Sequence, residues 1–451
     1  MQSDFEGRGG SFLVNVNVVF FSQILIYGLA FGLRVVLARG LGDAGLGTYS
    51  LFFVAVIVAG GVANLGVGLG NIYFLNKGTY PYSSLLSGSL LVLLATTVVG
   101  AVALVAYGLI IGTDLFVSGG TFWWYIAALP AVVGYVLLTS FLHGASRFPA
   151  LSFVAVVQGT IGVGMAGALY LADELDVFWA IASWTVSFLA ADVVALVFVG
   201  LRNVDVPALV RPRWRVLGEQ IRYGAQGQIA NLAQLFNYRL DQFLVAGFVS
   251  RAAVGHYTVA VGLSESVWWI SSAVALVLMP RLTQMDPKEA ERVTPIVCRN
   301  TLFVSILGGV LLMAVSPLAI RILFGREFDP ATLPLILLMP GVISASAGRV
   351  LGSYLFSQGR LIYNTYATFI ALAVTLSLDF ALIPWLEVEG AAIASSVAYT
   401  ASLMATLFWY RRVSGGSVAE ALVFRPADIH FYGEALQRLR ERARRVKDQP
   451  V

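Results

Sequence analysis

Long apolar runs separated by short polar stretches set the rhythm of this chain. Twelve of them reach the roughly 20 residues that a helix needs to cross a bilayer: about 12–38, 46–75, 83–111, 122–142, 149–171, 177–201, 223–249, 252–279, 296–320, 331–357, 361–385 and 388–410. The runs are continuous rather than alternating. That selects helices, whose backbone hydrogen bonds close within the segment, over a β-barrel. The longest polar connection, about 202–222, falls at mid-chain. The pattern therefore predicts an N-terminal six-helix bundle over 1–210, a cytoplasmic linker over 211–222, a C-terminal six-helix bundle over 223–412 and a basic cytoplasmic tail over 413–451. The expected fold is an all-α integral membrane protein, two pseudo-symmetric bundles around a central cavity.

Symmetry between the halves is written in the residues. Leu37-Ala38-Arg39-Gly40 leads into Ala44-Gly45-Leu46-Gly47-Thr48-Tyr49, and Val245-Ala246-Gly247 leads into Ala252-Ala253-Val254-Gly255-His256-Tyr257. A second echo pairs Ala208-Leu209-Val210-Arg211-Pro212 with Ala421-Leu422-Val423-Phe424-Arg425-Pro426. Internal repeats of this kind are a building plan of secondary transporters, in which one repeat rocks against the other.

Composition strengthens this picture. The 451 residues are 58% hydrophobic and only 12% charged, about half the charge of a soluble domain. Mean hydropathy is +0.81. The 29 basic residues, 26 of them Arg, lie mostly in the connections. With the N-terminus placed in the cytoplasm, 22 fall on inside segments and four, Arg39, Arg251, Arg321 and Arg326, fall outside. Acidic Asp173, Glu174, Asp176, Glu387 and Glu389 also fall outside. The positive-inside rule then puts both termini in the cytoplasm of a multi-pass cell-membrane protein. The basic excess obeys a membrane rule, not a nucleic-acid one. The first apolar run is too long for a signal peptide and is expected to remain as the first helix. The tail, with Leu436, Leu439 and five arginines from Arg438 to Arg445, reads either as an amphipathic helix on anionic lipid or as a solvated orientation signal.

Polar residues inside the apolar runs mark the candidate site, because such groups are costly in lipid and face a cavity or a partner. Gln23, Tyr27 and Arg34 share one face of the first run; Asn64 and Asn71, seven apart, share one face of the second. The seventh is richest: Gln228, Asn231, Gln234, Tyr238 and Asp241 fall within an arc of about 140°, with Arg239 beside it. The first helix of each half is thus expected to line an aqueous space. Arg34 either lines it, snorkels to the outer interface or holds a structural ion pair; Arg239 and Arg349 either meet substrate or serve structure. Glu265 and Asp379 read as a proton or cation site or as internal salt bridges, and Asp192 as structural.

Enzyme chemistry finds little support. One cysteine, Cys298, and three scattered histidines, His143, His256 and His430, offer neither disulfide nor zinc spacing. No Gly-rich stretch is followed by Lys-Ser/Thr, so no ATP site is expected. No cofactor or metal is expected either.

Several stretches carry a family resemblance. They are Ala38-Arg39-Gly40-Leu41-Gly42 with Gly45-Leu46-Gly47-Thr48-Tyr49; Arg239-Leu240-Asp241-Gln242 leading to Val254-Gly255-His256-Tyr257-Thr258-Val259-Ala260; Met279-Pro280-Arg281; and Phe324-Gly325-Arg326-Glu327-Phe328. Leu382-Ile383-Pro384-Trp385 and Glu389-Gly390-Ala391-Ala392-Ile393-Ala394 complete the pattern, which covers nearly all of the chain. In order and spacing it resembles the Wzx-type polysaccharide flippases of the multidrug/oligosaccharidyl-lipid/polysaccharide exporter superfamily. The chain departs from the family's usual turn before Gly390, where Trp385-Leu386-Glu387-Val388-Glu389 stands.

The resemblance implies a V of two bundles with a cationic cavity, and alternating access that carries a polyprenyl-(di)phosphate-linked oligosaccharide from the cytoplasmic to the outer leaflet. It implies phosphate-holding roles for Arg34, Arg239 and Arg349. Gln23, Asn64, Asn231, Gln234 and Asp241 are expected to complete the substrate site, and Glu265 and Asp379 an ion-coupling site. Membrane lipid and polysaccharide-assembly proteins are the expected partners, with a monomer favoured. The alternatives are an ion-coupled small-molecule exporter of the same superfamily, which would prefer carboxylates in its cavity, a membrane glycosyltransferase or polymerase, and a lipid scaffold.

Overall fold

A peptide group left unpaired in hydrocarbon costs several kcal/mol, so apolar runs of this length have one local solution. The computed structural model describes residues 3–111, 121–200, 213–425 and 428, and its regular elements are all helical. They are α1 (Ser3–Ala63), α2 (Val67–Lys77), α3 (Tyr82–Ile111), α4 (Phe122–Gly144), α5 (Phe148–Leu171), α6 (Val177–Val199), α7 (Trp214–Phe248), α8 (Arg251–Ser264), α9 (Trp268–Gln284), α10 (Pro287–Leu323), α11 (Thr332–Ser357), α12 (Leu361–Ser414) and α13 (Val418–Leu422). Short 3₁₀ turns, Glu265–Val267 and Arg326–Ala331, join α8 to α9 and precede α11. Among the described residues, nine helical stretches are long and apolar enough to cross a membrane.

Two helices are too long for a single passage. Phe21–Ala63 alone has 43 residues, about 65 Å of helix against a hydrocarbon core of about 30 Å. Gly42 divides it, with φ 69° and ψ −176°, a conformation that only glycine adopts without strain. The 54-residue α12 is divided in the same way at Glu387, φ 50° and ψ −126°.

The second apolar run is not the unbroken 46–75 that hydropathy suggests. The chain leaves the helix after Ala63, passes Leu65 and Gly66 at positive φ (51° and 78°), and restarts at Val67. Asn64 makes the break cheap. Its Oδ1 accepts the Gly68 N–H at 3.1 Å and its carbonyl accepts the Val67 N–H at 2.9 Å, so amides that the new helix leaves without partners are satisfied. α7 begins at Trp214, ahead of the expected 223, because Val216, Leu217 and Gln220 are buried on one face. Residues 201–212, with the first part of the expected linker, and 429–451, with most of the tail, lie outside the described residues.

The chain forms two compact units. One comprises Met1–Val259, Leu318–Ala331 and Phe380–Val388; the other comprises Ala260–Pro317, Thr332–Asp379 and Glu389–Val451. In the first, Phe74, Leu85, Leu138, Phe141 and Val154 form one apolar cluster, and Val67, Val92, Val133 and Leu137 a second. In the other unit, Leu282, Cys298, Leu351, Tyr354, Leu407 and Tyr410 form the core. Part of the chain after α12 is strapped to that core. Phe424 stacks on Phe303 with ring centroids 4.3 Å apart, and Arg299 makes a bidentate pair with Asp428, both bonds 2.6 Å.

The repeat has a physical meaning inside the first unit. A Cβ on Gly47 would lie 1.8 Å from the Arg251 carbonyl oxygen, and a Cβ on Gly255 would lie 2.0 Å from that of Asp43. Asp43 and Arg251 stand in the same repeat register as Gly47 and Gly255. The crossing is therefore reciprocal: each copy seats its glycine on the other's helix start. His256 Nε2 closes it with an ion-pair contact to Asp43 at 3.1 Å.

Candidate functional site: a polar cleft beside a broken helix

The break at Asn64–Gly66 stands beside a second glycine crossing. A Cβ on Gly66 would lie 2.3 Å from the Gly224 carbonyl carbon, and a Cβ on Gly224 would lie 1.8 Å from the Gly66 oxygen. This contact brings α7 backbone-close to the break. Gln228, one turn further along α7, donates from Nε2 to the Gly61 carbonyl at 2.7 Å. Helix interruptions that are stitched in this way are typical linings of transporter sites.

Beside the stitch lies a cleft of about 230 Å³. Its polar wall is Asn64, Thr139, Ser140, His143, Gln228 and Asn231, and its apolar wall includes Leu69, Ile72, Val136 and Leu151. Asn231 and His143 are exposed, Gln228 and Thr139 half-buried, Asn64 buried. Two of the expected substrate residues, Asn64 and Asn231, thus meet in one cleft. Thr139 and His143 come from α4 and carried no signal in the sequence, since a threonine and a histidine at the end of an apolar run read as ordinary helix residues. Gln228 was legible as part of the α7 stripe.

The other expected residues lie elsewhere. Gln23 and Arg34 are half-buried on the first arm of α1, and the Arg34 charge reaches the buried Tyr49 hydroxyl. Arg239 and Gln234 are half-buried on α7, with Arg239 Nη1 donating to the Tyr238 carbonyl at 3.2 Å. Asp241 is buried and accepts from the Tyr257 hydroxyl and from the Gln242 N–H. Asn71, co-facial with Asn64, is fully buried in a separate knot. Its Nδ2 donates to Ser89 and Ser140, both at 2.9 Å, and its Oδ1 accepts from Gln220 at 2.6 Å. Asp192 packs where α4 has Gly134; a Cβ there would lie 2.7 Å from its Oδ2.

Glu265, Arg349 and Asp379 belong to the second unit. The Arg349 guanidinium lies over the Trp268 ring, 4.2 Å from its centroid, and Nη1 is 3.3 Å from the Ser272 hydroxyl. Trp268 is itself pinned by donation from its indole N–H to the Val342 carbonyl at 2.9 Å. Glu265 opens the 3₁₀ turn, and Asp379 is fully buried. Outside the spans, the Tyr80 hydroxyl donates to Glu219 and holds that carboxyl below the usual glutamate range.

The arrangement supplies amides, hydroxyls and an imidazole next to apolar surface, groups suited to hold a polar ligand by hydrogen bonds. Among the described residues no group of three or more His, Cys, Asp or Glu is placed to hold a metal ion.

Comparison with known proteins places this geometry in context. Residues 125–333 match a family model described as "Polysaccharide biosynthesis protein". The "Probable low-salt glycan biosynthesis flippase Agl15" of Haloferax volcanii is 24% identical over 422 residues, 90% of this chain and 87% of that protein. The "Capsular polysaccharide biosynthesis protein CapF" of Staphylococcus aureus is 24% identical over 147 residues, 32% of this chain and 37% of that protein. Among solved structures, the lipid II flippase MurJ in an inward closed conformation aligns with TM-score 0.71 at 14% identity, over 88% of this chain and 87% of its own. An inward-facing multidrug resistance MATE family transporter of the MOP superfamily aligns with TM-score 0.70 at 13% identity, over 86% and 94%. The matched family model and the two relatives make the chain similar to proteins named for polysaccharide and glycan biosynthesis, one of them a flippase, and its fold is similar to that of the MurJ and MATE transporters.

Proposed function

We propose that this protein is a flippase that moves a polyprenyl-(di)phosphate-linked oligosaccharide from the cytoplasmic to the outer leaflet of the cell membrane, for assembly of a surface polysaccharide or glycan. The alignment with a protein named a glycan biosynthesis flippase, along nearly the full length of both chains, carries this reading. The chain crosses the membrane twelve times, with α1 and α12 each supplying two passages across their non-helical residues. Residues 1–210 and 223–412 are the two bundles, joined by 211–222, and 413–451 is the cytoplasmic tail. Both termini are cytoplasmic.

The physical chemistry of the task fits the residues. A prenyl tail stays in lipid while the polar head crosses a wet path. The phosphates call for guanidinium, which binds their oxygens bidentately; Arg34 and Arg239 take that role, with Arg349 a third contact. Gln23, Asn64, Asn231, Gln234 and Asp241 complete the substrate path. Glu265 and Asp379 couple transport to an ion, and alternating access is rocking of one half against the other. The protein performs transport, not catalysis.

The test is translocation of a fluorescent polyprenyl-diphosphate oligosaccharide in proteoliposomes, comparing wild type with Arg34→Ala and Arg239→Ala. Loss of protein-dependent flipping in both variants, with folding intact, supports the assignment. Flipping unaffected by either removes the arginines from the site. Absence of flipping, with ion-coupled efflux of small cations instead, moves the protein to the drug-exporter reading.

A further inference from the structure

We infer that the cleft beside the Asn64–Gly66 break is a subsite for one uncharged sugar ring of the transported head, separate from the groups that hold phosphate. The inference rests on the flippase reading and adds the chemical class of what the cleft takes.

The hydrogen-bond inventory of the wall carries the argument. Gln228 spends its Nε2 on the Gly61 carbonyl, which leaves Oε1 as an acceptor. Asn64 spends its Oδ1 on the Gly68 N–H, which leaves the Nδ2 donors. The Thr139 hydroxyl donates to the Tyr135 carbonyl, so its lone pairs remain. Ser140 is committed on both sides, donating to the Leu137 carbonyl and accepting from Asn71. Asn231 is exposed, and neither its amide nor the His143 imidazole hydrogen-bonds within the described residues. The cleft therefore offers fixed donors and fixed acceptors in mixture, as a ring of hydroxyls requires, since each hydroxyl both gives and accepts.

Charge excludes the other candidates. No arginine, lysine or carboxylate lines the cleft. A phosphate or uronate carboxylate placed there would find no permanent counter-charge, only the His143 imidazole, which makes it a poorer exchange for water than an uncharged hydroxyl ring. Leu69, Ile72, Val136 and Leu151 give the opposite wall a surface for the C–H face of a pyranose. The cleft of about 230 Å³ lies below the roughly 300–1,000 Å³ of sites that enclose larger ligands, so it holds one ring while the rest of the head extends beyond its open side. The backbone holds the wall in place, because Gly66 and Gly224 cannot separate without leaving their contact.

The test uses the full chain in nanodiscs and measures affinity for four probes: bare polyprenyl diphosphate, and the same lipid carrying glucose, N-acetylglucosamine or glucuronic acid. Wild type should bind at least one neutral-sugar conjugate about fivefold more tightly than the bare lipid, the scale of one or two neutral hydrogen bonds. The glucuronate conjugate should gain nothing. Asn231→Leu and His143→Leu, at exposed positions that spare the core, should weaken the preferred neutral conjugate about fivefold more than the bare lipid. Equal weakening of both probes, an equal gain for glucuronate, or no gain for either neutral sugar overturns the subsite while leaving the flippase reading in place. Failure to bind any polyprenyl diphosphate overturns both.

Discussion

Asn71 sits at the centre of a closed knot, giving two hydrogen bonds to serines and taking one from Gln220, with no exposed surface. Removing it takes the shorter of two acceptors from the buried Gln220 amide, which keeps only the Leu85 carbonyl at 3.3 Å. Asn71→Ala should therefore cost about 1–3 kcal/mol, the penalty for a buried donor that loses its partner. Thermal unfolding in detergent reads this directly, and a variant as stable as wild type would show the knot to be dispensable. Asn64, on the same helical face by sequence, does a different job: it caps α2 and lines the cleft. The face was legible from the seven-residue spacing. The division of labour was not, because helical period says which side a residue occupies and nothing about the neighbour on that side. Thr139 and His143 were missed for the same reason.

At the scale of elements, the reciprocal crossing of α1 and α8 depends on the absence of two side chains. Gly47→Ala and Gly255→Ala each drive a methyl into a carbonyl oxygen of the opposite helix, so each should cost about 1–3 kcal/mol of overpacking. The double variant should cost less than the sum, since the first substitution already parts the helices. Additive losses in Tm would contradict a shared contact. The strap after α12 makes a second prediction. Hydrogen bonds from Arg299 hold the Asp428 carboxyl below its usual range, so that contribution is complete at neutral pH and disappears as pH falls through the lowered folded-state pKa. Asp428→Asn should unfold earlier than wild type at pH 7, and the gap in Tm should begin to close only as pH falls past the ordinary aspartate range and vanish below the lowered folded-state pKa. A gap that persists in acid would assign the effect to packing instead. The repeat behind the first crossing was visible as an echo of small residues. The strap was not visible, because Arg299 and Asp428 are far apart in sequence and pair only through the fold.

For the whole molecule, the prediction concerns orientation. With Cys298 replaced by serine, a single cysteine at Asp173 should react with a membrane-impermeant maleimide on intact cells, and one at Ser417 only after permeabilisation. The reverse pattern would invert the topology expected from 22 inside and four outside basic residues. The sequence by itself determined that this chain is built of apolar helices long enough to span a membrane, roughly where they run, and that short stretches in its two halves echo each other. Those properties are written in composition and short-range period, and lipid leaves the backbone of such runs only one way to satisfy itself. The tertiary structure decided where the long runs break, which glycines let helices touch, and which amides face a cleft rather than a buried knot. These depend on the identity of the packing neighbour, and a close-packed interior sets that through contacts between residues distant in the chain.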